Sequence, residues 1–332
     1  MNKLLKIPHL KLFVSLLCPI LCCTTYQLEA QIKPTAKLSG YMDMRYQYGD
    51  DLSSFDIRRA RVDLKGNLTK DVDYRFQIDF ASSPKILDIY VRWKLNKYFG
   101  LEAGQFKIPF SIENACSPLT LETIENAQVI SKLSDYDDVA GIKSNGRDVG
   151  LMLSGEAIKI DDRNLIKYSL GIFNGTGINV SDKNKDKDIS GIIQLYPVKG
   201  LSFAGYVYSG KFYMDADNPY ASRFRIGAGI EYRNSILHIR TEYIKGKTDD
   251  KKSEGSYCLG GYSITKSIEA LARVDYFTND TSSSSNAQIY YLGGIDWHIN
   301  EHLRIQVNYT YKTFRGTTNN TSTVATQLTA MF

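Results

Sequence analysis

Basic residues recur at alternate positions along much of this chain. Arg59, Arg61 and Lys65 do so in "RRARVDLK", Arg75 stands inside "VDYRFQIDF", and Arg92 and Lys94 close "DIYVRWK". Lys107, Lys167, Arg225, Arg233, Arg240, Arg273 and Arg304 continue the pattern further on. A guanidinium presents a rigid fork of donors that matches phosphate or carboxylate, and rings of such cations select anions in a water-filled passage. Acids interleave with them: Asp43, Asp63, Asp73, Asp79, Asp88, Asp148, Glu156, Glu231, Glu242, Asp275 and Asp296. For any one arginine, a cross-strand ion pair that holds a wall together is therefore as good a reading as an anion site.

Other chemistries find little footing. A nucleophilic site needs Ser, His and an orienting group within hydrogen-bond reach. His238, His298 and His302 stand in no such constellation. The last two are four apart across an expected turn, where zinc would lack both a third ligand and a helix to hold the spacing. "GTG" (Gly175 to Gly177) opens a loop with no helical pattern behind it, unlike a phosphate cradle. No enzyme, cofactor or metal is expected.

The elements that position the cations read as strands. In "VDYRFQIDF", Val72, Tyr74, Phe76, Ile78 and Phe80 face one way and Asp73, Arg75, Gln77 and Asp79 the other. "LDIYVRWKL" sets Leu87, Ile89, Val91, Trp93 and Leu95 against Asp88, Tyr90, Arg92 and Lys94. "LRIQVNYTYK" sets Leu303, Ile305, Val307, Tyr309 and Tyr311 against Arg304, Gln306, Asn308, Thr310 and Lys312. This is the period of a strand. It fits a soluble sandwich or a membrane barrel equally.

Connection lengths favour the barrel. Short turns are expected at Thr69 to Asp71, Val198 to Gly200, Asn234 to Ser235, Thr265 to Ser267 and Asn300 to His302. Longer polar stretches run from Asn174 to Asp188, Lys211 to Ser222, Lys245 to Gly255, Thr278 to Asn286 and Phe314 to Ser322. Such alternation marks a barrel with one short-turn and one long-loop rim. Aromatics including Tyr46, Tyr48, Phe80, Trp93, Tyr232, Tyr243, Tyr276, Trp297, Tyr309 and Tyr311 fall on the apolar face, as interfacial girdles require. The expected fold is all-β, a transmembrane antiparallel up-and-down barrel of about 16 strands. Arg or Lys on its lipid face would cost roughly 2–4 kcal/mol at the midplane, so the cations should point inward.

Both ends fit export to a membrane. Lys3, Lys6 and Lys11 accompany the apolar "LFVSLLCPILCC", and Ala30 follows, so residues 1–30 read as a signal peptide and 31–332 as the barrel. Ile20 and Leu21 precede Cys22 and Cys23, which argues against a lipidated cysteine. Removing Lys3, Lys6, Lys11 and Glu29 takes the formal charge from +5 to +3, too mild to imply nucleic acid. Cys116 and Cys258 then remain, enough for one bridge but not for a disulfide framework. The last strand carries Val324, Thr326, Leu328, Ala330 and the terminal Phe332 on one face, a pattern suited to recognition by a barrel-insertion machinery and to closure against a first strand near Ala36 to Gly49.

Six stretches in order carry a family resemblance: "SSFDIRRARVDLKGNLTKDVDYRFQIDF", "GLEAGQFKIPFSIE", "GRDVGLMLSG", "YSLGIFNGTG", "LHIRTEYIKGK" and "IEALARVDYFTND". Together they resemble the phosphate-selective porins of the O and P type over nearly all of the mature chain. The resemblance implies a 16-stranded outer-membrane barrel in a Gram-negative envelope, often a homotrimer, that passes small anions such as phosphate by diffusion. Arg59, Arg61, Arg75, Arg92, Lys107, Arg240 and Arg273 are the expected lumen cations. A non-selective or weakly cation-preferring porin, and a structural or adhesive barrel without an open channel, are the alternatives. Outer-membrane lipid and permeant ions are the expected partners.

The stretch from Ser111 to Gly146 is the longest connection, and the resemblance implies that it folds into the pore as a constriction. "SPLTLETIENAQVISKL" (Ser117 to Leu133) places Leu121, Ile124, Gln128 and Leu133 near helical spacing. The loop is acidic: Glu113, Glu122, Glu125, Asp135, Asp137 and Asp138 outnumber Lys132 and Lys143. It also departs from its relatives, with Asn126 after the "TIE" stretch and Ile192 after Gly191, where Arg is frequent. An acidic constriction would repel phosphate.

Overall fold

The computed structural model describes residues 33–50, 52–160, 162–213, 220–316 and 320–332. The expected signal segment lies outside the described residues. Lys37–Gly49 (β1), Leu52–Asn67 (β2), Val72–Asp79 (β3), Lys85–Lys94 (β4) and Gly100–Lys107 (β5) precede the longest connection. Arg147–Ile160 (β6), Arg163–Phe173 (β7), Asp188–Val198 (β8), Leu201–Phe212 (β9), Ala221–Arg233 (β10) and Leu237–Thr248 (β11) follow it. Lys251–Ser263 (β12), Ile268–Thr278 (β13), Ala287–His298 (β14), Leu303–Phe314 (β15) and Thr321–Met331 (β16) complete the set. Every strand pairs antiparallel with its sequence neighbours, β1 pairs with β16, and the sheet closes.

The faces distinguish a membrane barrel from a sandwich. In β16, Val324 and Leu328 are exposed while Ala325, Gln327 and Thr329 are buried. In β15, Val307 and Tyr309 are exposed while Arg304, Gln306 and Asn308 are buried. Apolar side chains cover the outside and polar ones fill the interior, the reverse of a soluble domain. Trp93, Tyr243, Trp297, Tyr309 and Tyr311 all stand exposed on that outer surface. Phe332 closes the seam: its backbone N–H donates to Gly40 O at 3.0 Å, and Gly40 N–H donates back to Phe332 O at 3.0 Å. Gly40 has no Cβ to collide with the Phe332 ring.

Two bulges alter the expected faces. Between β1 and β2 the register shifts so that Asp43 opposes Arg59 and Met44 opposes Ile57. Arg58 is the extra residue, and it turns inward beside Arg59, while Phe55 and Ile57 remain outside. Between β3 and β4, Gln77 opposes Asp88 and Ile78 opposes Ile86. Leu87, expected on the outer face, is thereby fully buried. A bulge inserts one residue without a partner and so reverses the phase of alternation. A third correction concerns Lys245 to Gly255. These residues are not a long loop, because β11 and β12 run on until only Asp249 and Asp250 separate them.

The connection from Ile108 to Gly146 folds into the barrel. Phe110, Ile112, Val129, Ile130 and Leu133 join one apolar cluster with the wall residues Tyr206, Tyr208, Ile244, Tyr257 and Phe277. The Phe110 ring meets those of Tyr206 and Tyr208 edge-on at 4.8 and 6.4 Å. Within this connection helix occurs only at Ile112–Ala115 (α1) and Gln128–Leu133 (α2), so the helix expected across Ser117 to Leu133 forms only at its end. The wall explains why. Arg304 donates to the carbonyls of Leu119 and Leu121, Gln306 to those of Leu121 and Glu122, and Arg273 to those of Glu125 and Asn126. Asn308 accepts from Ile124 N–H. The backbone bonds that a helix would satisfy internally are satisfied by strands.

Candidate functional site

The loop packs against one side of the barrel and leaves a water-accessible cavity of about 510 Å³ on the other. β2 supplies Arg58, Arg59 and Arg61 to its lining; β4, β5 and β6 supply Lys85, Lys107 and Arg147. Arg273 of β13, Lys312 of β15 and Lys132 of the loop complete the cations. Against these nine stand three carboxylates, Asp79, Glu125 and Asp137. The site is basic.

The wall cations are held by partners. Arg59 Nη1 lies 2.8 Å from Asp43 Oδ2, Arg61 Nε 2.9 Å from Asp79 Oδ2, and Arg147 Nε 2.7 Å from Asp88 Oδ1. Arg273 pairs with Asp275 at 3.1 Å and donates to Thr123 Oγ1 at 2.7 Å. Lys107 Nζ instead donates to the carbonyls of Asn114, at 2.6 Å, and Cys116. Among the described residues, Lys85, Lys107 and Lys312 have no carboxylate within ion-pair distance. Even with every paired carboxylate counted against its cation, the cavity keeps Lys85 and Lys312 as cations without a carboxylate partner among the described residues.

The acids of the loop are spent on anchoring it. Glu113 accepts from Ala127 N–H at 2.7 Å and reaches Arg240 at 3.4 Å. Glu122 binds Arg240 at 2.9 Å and also Arg233. Glu125 lies between Arg45 and Arg58, the latter at 2.5 Å. Asp135 pairs with Arg223 at 2.9 Å and Asp138 with Arg225 at 3.2 Å. Lys132 pairs with Asp137. Burial opposes ionisation of Glu122, yet Arg240, His238 and Arg233 hold it below the usual carboxylate range; Glu125, its side chain half exposed, is held low by Arg58 and Arg45. Burial pushes the Cys116 thiol up to about 11, against the pull of Arg240, which leaves it inert as a nucleophile.

The candidates from sequence therefore separate into groups. Arg59, Arg61, Lys107, Arg273, Glu125 and Lys132 meet in the main cavity. Arg75 and Arg92 line a second cavity of about 370 Å³ at the short-turn rim, with Lys37, Lys65 and Asp73. There Arg75 pairs with Asp63 and Asp88, and Arg92 with Glu102. Arg240, only 1 % exposed, lies behind the loop with Glu113 and Glu122 and faces neither cavity. Arg58, Lys85, Arg147 and Lys312 line the main cavity without having been singled out. The sequence does signal Arg58: the apolar positions shift phase between Ile57 and Ala60, as a bulge requires.

The sequence matches the family described as "Phosphate-selective porin O and P" over residues 39–183 and 207–332. The chain belongs to that porin family. Solved barrels share its fold. An anion-selective porin from Comamonas acidovorans aligns with a TM-score of 0.69 at 12 % identity, covering 90 % of this chain and 100 % of its own. OmpT of Vibrio cholerae in its trimer form aligns at 0.66 and 10 % identity, covering 90 % and 99 %. The outer-membrane channel DcaP of Acinetobacter baumannii aligns at 0.65 and 12 % identity, covering 92 % and 99 %. No curated protein matches the sequence.

As a porin, the chain is an outer-membrane channel, and the two basic cavities lie along its lumen. The expectation of an acidic constriction is corrected by the geometry. Of the six loop carboxylates, only Glu125 and Asp137 reach the main cavity, and each is bound by basic side chains. The loop presents its acids to the strand arginines behind and beside it. What it leaves open is the basic wall of β2 and β4 to β6.

Proposed function

We propose that this porin passes small anions by passive diffusion, with phosphate and other inorganic oxyanions among its solutes. The supporting observation is the lining of the main cavity, nine cations to three carboxylates. In this reading Arg59, Arg61, Lys107 and Arg273 draw anions through the narrow zone, and Arg75 and Arg92 continue the basic track toward the periplasm. A low-dielectric wall focuses such charge along the lumen. The paired arginines stay fixed in place, so the ion exchanges water for donors that are already oriented.

Residues 1–30 act in this proposal as a signal peptide that delivers the chain to the outer membrane. The barrel-insertion machinery recognises its last strand, and three copies assemble in the bilayer. Its surroundings are lipid, with no nucleic-acid partner, and the lumen serves permeation, not catalysis. The decisive experiment is the reversal potential of purified protein in a planar bilayer under a potassium chloride gradient. The expected sign is that of chloride permeation. A potential of the opposite sign would reject anion preference, and absence of conductance would point to a structural barrel.

A further inference from the structure

The main cavity is not lined by cations alone. Its β2 to β6 side is cationic. Tyr290 and Leu292 of β14 also line the cavity, between Arg273 of β13 and Lys312 of β15, together with Leu121, Ile124 and Tyr136 of the loop. Tyr290 is half-buried, with its hydroxyl donating to Gln288 Oε1 at 3.1 Å and its ring edge-on to Phe314 at 6.3 Å. Lys312 Nζ lies 5.3 Å from the same ring centroid and has no carboxylate partner among the described residues. A fixed aromatic surface thus adjoins a cation free to accept an anion.

An inorganic oxyanion gains nothing from that surface, because it loses water there without a donor in return. An anion with an apolar body gains on both counts, since the body is removed from water while the charged end meets the basic wall. The cavity, about 510 Å³, falls within the range of pockets that enclose small organic ligands. We infer that this porin favours organic anions with an aromatic or other apolar body, which rest against Tyr290 while Lys312 and the basic wall take the carboxylate. The inference rests on the anion-channel reading and names its solute class.

The test uses sodium benzoate, sodium acetate and inorganic phosphate, each added to the porin in a planar bilayer carrying chloride current. Benzoate should halve the current at about one-tenth the concentration that acetate requires, the size expected for covering part of an aromatic ring. Tyr290→Ser should remove most of that difference, and Tyr290→Phe should keep it. Equal half-blocking concentrations for benzoate and acetate in the wild-type channel would overturn the inference, whether or not the variants insert. So would retention of the full difference by Tyr290→Ser. With a chloride-type reversal potential, either result leaves the anion-channel reading standing; a cation-type potential removes both.

Discussion

At the scale of single residues, position relative to the loop decides what an arginine does. Arg59 and Arg240 occupy equivalent alternating positions in sequence, and both pair with carboxylates. Arg59 still faces the cavity, whereas Arg240 is covered. A unit charge about 4 Å from an ion's path is worth about 1 kcal/mol in water. Arg59→Ala and Arg61→Ala should therefore each lower the chloride-to-potassium permeability ratio by up to about fivefold, measured by reversal potential. Arg240→Ala should leave that ratio nearly unchanged. Its cost should appear as stability, about 3–5 kcal/mol, because Glu113 and Glu122 would remain buried without their shared cation. Urea unfolding in detergent would measure that loss; a large selectivity change instead would place Arg240 on the solute path.

At the scale of elements, the loop and its anchors set the channel's width. One anchor has an excess of acid. Asp135 and Asp138 of the loop face Arg223 and Arg225 of β10, Tyr208 of β9, Asp188 of β8 and Asp148 of β6. Burial, reinforced by Asp138 and Asp148 against the pull of Arg223, pushes the Asp135 carboxyl up to about 7. The docked loop thus binds a proton that a free carboxylate releases at about pH 4. Docking is fully supported below that value, and the support is lost as pH rises through about 7. Glu122 and Glu125, held low, act in the opposite sense and withdraw their support only in acid. Open-channel current noise should therefore grow between pH 5 and 8, and Asp135→Asn should flatten the trend. A wild-type trace with equal noise across that range would contradict it.

The loop's backbone supplies a second prediction at this scale. Arg304 and Gln306 bind the carbonyls of Leu119, Leu121 and Glu122. Gln306→Leu would take the donor from the Glu122 carbonyl, Leu121 keeping Arg304, at a cost of about 1–3 kcal/mol. That loss should register as a lower urea midpoint, with β-sheet content by circular dichroism unchanged.

At the scale of the whole molecule, closure is the structural condition for everything else, because an open edge in lipid would leave a row of backbone groups unpaired. The seam pairs β1 with β16 from Tyr41 opposite Met331 to Gly49 opposite Thr323, and Phe332 extends it to Gly40. Deleting Phe332, or substituting Gly40→Val, should reduce the fraction of heat-modifiable, folded barrel recovered from membranes. Normal recovery of both variants would separate the terminal aromatic from assembly. Cross-linking in native membranes would report whether three copies associate.

The sequence by itself determined an all-β barrel of about 16 strands and the apolar face of most of them, but not the faces beyond the two bulges or the extension of β11 and β12 through Lys245 to Gly255. What it determined follows from period-two alternation and turn placement, which are local and repeat along the chain. Even the bulge at Arg58 left a local trace. Only the tertiary structure decided which charges face water. Glu113 meets Arg240 across 127 residues, and Glu125 meets Arg58 across 67. The loop's path is set by wall side chains that bind its carbonyls, a pairing with no periodic signature. An acidic loop therefore borders a basic lumen, because burial and long-range ion pairing consume its charge.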